Sequence, residues 1–309
     1  NGSRGYNICR EKRRMKRKIY FLCGICLCMA VIPSCQEKGK ETLAEQAVEK
    51  EKQPDRENQV YTFVDVYGQK YEAALLADVP KCTYDYRYLK EENGYKYYEE
   101  KEEGVSSAIG IDVSEFQGEI DWNVVKESGI EFAIIRLGYR GYGAEGRLVL
   151  DERFEQNIKG AQAAGLKTGV YFFSQAVSDK EAKEEAEFVL QTLEGRKLEL
   201  PVVFDTEEIK GDTARTDENT REQFTDNCII FCDRIEEAGY ETMIYANMKW
   251  MAFTLYMEEL TGYDIWYADY ENTPQCPYDF SVWQYSESGS VPGIEGAVDL
   301  NVWFQEEEK

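Results

Sequence analysis

The chain has 309 residues, 43% hydrophobic and 13% aromatic, enough for one large domain with a sizeable core plus accessory segments. It contains no histidine, which removes Ser-His-Asp and Cys-His nucleophile systems and the His ligands of most catalytic zinc sites, and leaves acid/base work to Asp, Glu, Tyr, Lys or Cys. The net charge is −23, and because residues 1–35 carry eight Lys/Arg against one Glu, the remainder stands at −30, a body that repels nucleic-acid phosphates and anionic headgroups.

Residues 15–35 read MKRKIYFLCGICLCMAVIPSC, with Lys16, Arg17 and Lys18 ahead of an apolar run from Ile19 to Pro33. That run is shorter than the ~18–20 residues a spanning helix needs and suits an export signal. Ser34-Cys35 resembles the end of a bacterial lipobox, so residues 1–35 are read as an export segment. Membrane association would run through the signal or a lipidated Cys35, with plain secretion or an uncleaved anchor as alternatives, and Met15 is a candidate true start. Residues 36–59, rich in Glu, Lys and Gln, read as a polar tether. Residues 60–107 alternate in YTFVDVYGQKYEA and turn at Asn93-Gly94, which predicts a small β-rich accessory segment.

From residue 108 onward, short β-rich runs alternate with charged amphipathic stretches. AIGIDVS precedes a helix over 122–128, FAIIRLGY one over 152–164, KTGVYFFS one over 179–193, LPVVFDTE one over 218–238 and ETMIYAN one over 249–260. DIWYADY, FSVWQYS and AVDLNVW then follow with no room for helices between them. Gly129, Gly165, Gly195 and Gly239 stand where helix C-caps are expected. This order predicts an α/β fold, an irregular TIM-like (β/α)5(β)3 barrel over 108–309, with a doubly wound open sheet as the alternative.

Chemistry in such barrels collects where strands end and βα loops begin. PVVFDTE places Asp205 and Glu207 two apart, so both side chains point the same way, into the mouth. Two carboxyls roughly 6–7 Å apart at their backbones suit a glycosidase pair, and crowding with burial would raise one pKa. Asp112 ends the first strand and Asp299 lies in the last; in a closed barrel these strands are neighbours, which brings four acids to one rim. Uncompensated buried charge is costly, so a structural reason for that cluster is hard to find.

Taken together, GIDVSEFQGEIDW at 110–122, YFFS at 171–174, PVVFDTEE at 201–208, IWYADY at 265–270, WQYSESGSVPGI at 283–294 and VDLN at 298–301 resemble glycoside hydrolase family 25, the muramidases, in the family's order. The resemblance implies hydrolysis of the β-1,4 bond between N-acetylmuramic acid and N-acetylglucosamine in bacterial cell-wall peptidoglycan, without a metal or cofactor. It implies Glu207 as the general acid, Asp205 as the group stabilising positive charge on an oxazolinium made by the substrate's acetamido group, Asp112 and Asp299 as the other two active-site acids, and Tyr171 as a cleft residue. Many members carry His after that Tyr; Phe172 stands there instead, which implies altered substrate contact rather than lost activity.

Aromatics at the strand ends are candidate sugar platforms, foremost Trp266, with Tyr270 beside it; Trp283 is weighed as platform or packing. Gln284 is a candidate hydrogen-bond partner for a sugar hydroxyl. Arg136 on the second strand is expected to balance the acids, and Tyr139, opening the Gly-rich 138–146 loop, to lie beside the cleft. Two rival readings remain: a barrel that binds glycan without cutting it, and a chitinase-like glycosidase, which would need a third acid where Val203 stands. Among the cysteines, Cys228 and Cys232 read as helix core, and a Cys82–Cys276 disulfide is compatible with export.

Overall fold

The computed structural model describes residues 59–100 and 104–306. The export segment, Cys35 and the tether up to residue 58 therefore lie outside the described residues. Among the described residues, no helix is long and apolar enough to cross a membrane.

The alternating stretch after residue 59 forms an antiparallel pair, β1 (Val60–Val64) and β2 (Lys70–Ala74). A second hairpin joins β3 (Leu89–Glu92) to β4 (Tyr95–Glu100). Its two turn residues, Asn93 and Gly94, both take positive φ, as a two-residue hairpin that matches strand twist requires. β4 then pairs with the start of β5 (Val105–Val113), extending the barrel sheet outward. Cys82 and Cys276 are both free thiols, and Cys82 Sγ instead lies 3.1 Å from the Tyr86 hydroxyl.

β5 opens a closed barrel of eight strands that continues with β6 (Phe132–Arg140), β8 (Lys167–Phe173), β9 (Val202–Asp205), β10 (Thr242–Asn247), β11 (Asp264–Ala268), β12 (Val282–Gly289) and β13 (Val298–Glu306). A short β7 (Leu148–Leu150) folds back on the end of β6. The first seven barrel strands are parallel to their neighbours, whereas β13 runs antiparallel to both β12 and β5 and closes the ring. Helices α1 (Trp122–Glu127), α2 (Phe154–Ala163), α3 (Asp179–Leu193), α4 (Arg221–Glu237) and α5 (Met248–Phe253) follow the first five barrel strands, as the sequence predicts. The glycines after α1 to α4 have φ between 76° and 101°, where a side chain would be strained.

One helix is shorter than expected. The predicted 249–260 helix ends at Phe253 because side chains of α4 compete for the following backbone. Arg221 Nε donates to the Leu255 carbonyl at 3.0 Å and the Tyr256 N–H donates to Thr225 Oγ1 at 2.9 Å.

Period-2 alternation sorts the strand residues between two cores. Phe132, Ile134, Val203, Met243, Trp266, Val282 and Trp303 fill the barrel interior. Val202, Phe204, Ile135 and Phe172 face the helices, where Phe231 and Val189 meet them. Gly110 is glycine for a packing reason: a Cβ there would sit 2.3 Å from the Phe132 ring that plugs the barrel. The same parity, carried one step further along each strand, turns Asp112, Arg136, Tyr171, Asp205, Tyr245, Gln284 and Asp299 toward the mouth.

Candidate active site

A cleft of about 390 Å³ opens at this end of the barrel, and Asp112, Asp205, Glu207 and Asp299 all line it. The four acids foreseen at the strand ends thus converge on one cavity. Tyr171, Trp266, Tyr270 and Gln284 line it as well. Arg136 and Tyr139 are not among its lining residues.

Asp112 and Asp299 are register partners on β5 and β13. Asp112 Oδ2 accepts from Gln284 Nε2 at 2.9 Å and from Asn301 Nδ2 at 2.8 Å, and Gln284 Nε2 reaches Asp299 Oδ2 at 3.3 Å. Gln284 Oε1 accepts from the hydroxyls of Tyr245, at 2.9 Å, and Tyr270, at 3.1 Å. Every hydrogen-bonding position of this buried amide is occupied within the protein. Gln284 is therefore a strut that positions the acids, which corrects the expectation of a sugar-hydroxyl contact.

Trp266 needs a similar correction. Its ring is only 2% exposed, packed edge-on against Tyr171 and Tyr245, and its indole N–H donates to Asn301 Oδ1 at 2.8 Å. It forms the floor beneath the acids and orients Asn301, rather than offering an open platform. Trp283 is fully buried and donates to the Asp269 carbonyl at 2.7 Å, so it is packing. Phe172 faces away from the cleft, against Phe188 and Phe231, so it does not alter substrate contact; its neighbour Phe173 lines the cavity.

Arg136 pairs with Asp151, Nε to Oδ2 at 2.7 Å, and with Glu115 at 2.9 Å, while its guanidinium stacks between Phe116 and Tyr139. Its charge still acts on the acids, since it favours the ionised form of Asp205. Arg136 therefore bears on the acids only through its charge, and neither it nor Tyr139 lines the cleft.

Burial sets the protonation of the site. Desolvation pushes Asp299 up to about 9, reinforced by the Asp112 charge beside it, so Asp299 carries a proton at neutral pH. Asp112 is also raised by burial, against the pull of its Asn301 and Gln284 donors. Asp205 is raised well above the carboxylate range by burial and then by the charges of Glu207 and Asp112. Glu207 is pushed up to about 7, first by desolvation, with Lys210 opposing and Asp112 and Glu287 adding to the rise. One oxygen, Asp205 Oδ1, is buried without any hydrogen-bond partner. Asp205 lines the cleft, but this particular oxygen is closed off from it by the surrounding protein. Among the described residues, no group of three or more His, Cys, Asp or Glu side chains could hold a metal ion.

Sequence reasoning missed Tyr245, Asn301, Phe173, Asn247, Lys210 and Glu287. Tyr245 and Asn301 were within reach, since each sits two residues beyond an inward side chain on its strand, the parity that selected Glu207. Lys210 and Glu287 lie on loop and strand-end positions with no periodic signal.

The family model of glycosyl hydrolases family 25 matches residues 111–294, and the chain belongs to that family. An autolytic lysozyme of Clostridium acetobutylicum is 30% identical over 62% of this chain and 54% of its own length, and lysozyme M1 of Streptomyces globisporus is 28% identical over 63% and 67%. A bacterial lysozyme from Streptomyces coelicolor has the same fold, with a TM-score of 0.50 and 26% identity over 63% of this chain and 91% of that one. The modular autolysin LytC of Streptococcus pneumoniae shares the fold with a TM-score of 0.56 and 24% identity, over 78% and 56%. The chain thus spans about half the length of the clostridial and pneumococcal proteins.

Proposed function

We propose that this protein is a peptidoglycan muramidase that hydrolyses the β-1,4 bond between N-acetylmuramic acid and N-acetylglucosamine. The observation that carries the reading is Glu207, an acid held at about 7 at the lip of a cleft whose depth holds Asp205, Asp112 and Asp299. The kinship with two proteins named as lysozymes supports the choice of polymer. In this reading Glu207 gives its proton to the glycosidic oxygen as the bond to the muramic acid carbon breaks, and the freed glucosamine leaves as an alcohol. Asp205, which lines the cleft, accepts the acetamido N–H of the bound sugar on its carboxylate. That contact aims the acetamido oxygen at the anomeric carbon and favours the ionised carboxylate as positive charge develops. Water then opens the oxazolinium, returning a proton to Glu207. Asp112 and the protonated Asp299 hold the sugar from the opposite wall, kept in place by Gln284 and Asn301.

The accompanying organisation is an exported protein working at the cell envelope, residues 60–107 forming an accessory segment ahead of a catalytic barrel. Digestion of purified peptidoglycan, borohydride reduction and mass spectrometry test the reading. Muramitol at the new ends supports it, whereas glucosaminitol ends, or none, contradict it.

A further inference from the structure

The β1–β2 turn precedes the family match altogether, yet Val66 and Tyr67 line the cleft together with Glu207, Glu208 and Lys210. Several contacts fix the turn there. Asp65 Oδ1 accepts from the N–H groups of Tyr67 at 2.9 Å and Gln69 at 2.8 Å, and Gly68 takes φ 81°. Gln275 clasps Val64 in both directions, Val64 N–H to Oε1 at 2.8 Å and Nε2 to the Val64 carbonyl at 2.9 Å, and also bonds the buried Asp269 at the end of β11. Phe63 and Tyr71 pack on Phe253 of α5. The turn is thus preorganised at the catalytic end of the barrel.

Tyr67 is 49% exposed, and of the five exposed aromatic rings among the described residues it is the one that lines the cleft. Lys210 Nζ sits 4.9 Å from the ring centre and 3.6 Å from Glu287, so a chain of contacts runs from the turn, through the loop that carries Glu207, to β12. Because Lys210 follows Glu207 by three residues on the same loop, its contact with the ring puts Tyr67 on the acid's side of the cleft. With Lys210 over one face, the exposed ring offers its other face to the C–H face of a pyranose.

We propose that the β1–β2 turn is a wall of the substrate cleft and that Tyr67 is a binding platform for the sugar on the leaving side of the scissile bond, next to Glu207. The proposal rests on the muramidase reading and extends it: the segment outside the family match is part of the substrate site, not only a spacer.

The test uses wild type, Tyr67→Ala and Tyr67→Phe on solubilised peptidoglycan chains, with KM, kcat and melting temperature measured for each. Ring stacking of this kind is worth up to about 10-fold in binding. Tyr67→Ala is expected to raise KM about 3- to 10-fold with a small change in kcat and melting temperature, and Phe at this position to recover most of the loss. An unchanged KM in Tyr67→Ala overturns the proposal, as does an equal rise in both variants, which would credit the hydroxyl and not the ring. Failure of the underlying reading looks different: the wild type itself would then release no muramic acid ends.

Discussion

Asp112 and Asp299 face each other across the antiparallel β5–β13 pair, and a single amide, Gln284 Nε2, donates to both carboxyls. Burial raises both carboxyls, and the Asp112 charge adds to the rise at Asp299, which is pushed up to about 9, so the pair retains a proton at neutral pH. The amide and the proton together let like groups share one wall of the cleft.

Replacing this strut separates positioning from sugar contact. Gln284→Leu leaves Asp112 short of a donor and the hydroxyls of Tyr245 and Tyr270 short of their acceptor, at a cost of roughly 1–3 kcal/mol. We expect kcat to fall about 10- to 100-fold while KM moves less than about threefold, because misplaced acids lose transition-state contacts. Steady-state kinetics with thermal melts check this; a raised KM at unchanged kcat would restore Gln284 as a sugar ligand.

Activity should be lost on the alkaline side as Glu207, held at about 7, gives up its proton. Lys210 favours the ionised form of Glu207, so Lys210→Met raises the Glu207 pKa and moves the alkaline limb to higher pH. Glu287 acts in the opposite direction, and Glu287→Gln should move the limb down. The pH dependence of kcat for the three proteins decides the matter, and a limb that stays fixed in both variants would remove Glu207 as its source.

How much of this was legible in the sequence follows from which forces are periodic. Parity along a strand placed Asp112, Asp205 and Asp299 at one rim, Glu207 joins them from the loop two residues past the end of β9, and capping glycines with amphipathic helices marked the five βα units. The end of α5 was not legible, because Arg221 and Thr225, about thirty positions away, capture its last backbone groups. The same holds for the roles of Gln284 and Trp266: composition marks both as carbohydrate contacts, and only the closed barrel shows that their polar atoms are already taken. Tyr67 carried no signal at all, since its place depends on how Gln275 docks the β1–β2 turn.

Stability should fall as pH rises. Glu207 and Glu185 are both pushed up to about 7 and Asp299 to about 9, each above its ordinary value in an unfolded chain. The folded state therefore binds more protons than the unfolded state between about pH 4 and 9, and the contribution present at low pH is lost as pH passes through the folded values. Melting temperature should drop from pH 5.5 to 8.5. Asp299→Asn should flatten that slope, gaining on the order of 1 kcal/mol at pH 8.5. A melting temperature that climbs over this range would contradict the assignment.

The second buried cluster serves the fold. Arg140 lies inside the protein, with Nε 2.7 Å from Glu185 Oε1 and Nη1 2.8 Å from the Gly146 carbonyl, while Ser174 Oγ donates to Glu185 Oε2 at 2.6 Å. Arg140→Met strands the Glu185 carboxylate and should cost about 3–5 kcal/mol at pH 8. The loss should be smaller at pH 5.5, where Glu185 can take up a proton, and Arg140→Met with Glu185→Leu should recover much of it. Denaturant melts at the two pH values measure this; equal losses at both would show that the pair contributes packing rather than charge.

The central claim is that Glu207 supplies the proton that releases the leaving sugar. The most direct measurement compares wild type with Glu207→Gln, both lacking residues 1–40, on purified peptidoglycan, counting reduced muramic acid ends by mass spectrometry. Wild type should release them and Glu207→Gln should fall by about 1000-fold or more while keeping its fold by circular dichroism. Release by Glu207→Gln at the wild-type rate would contradict the account.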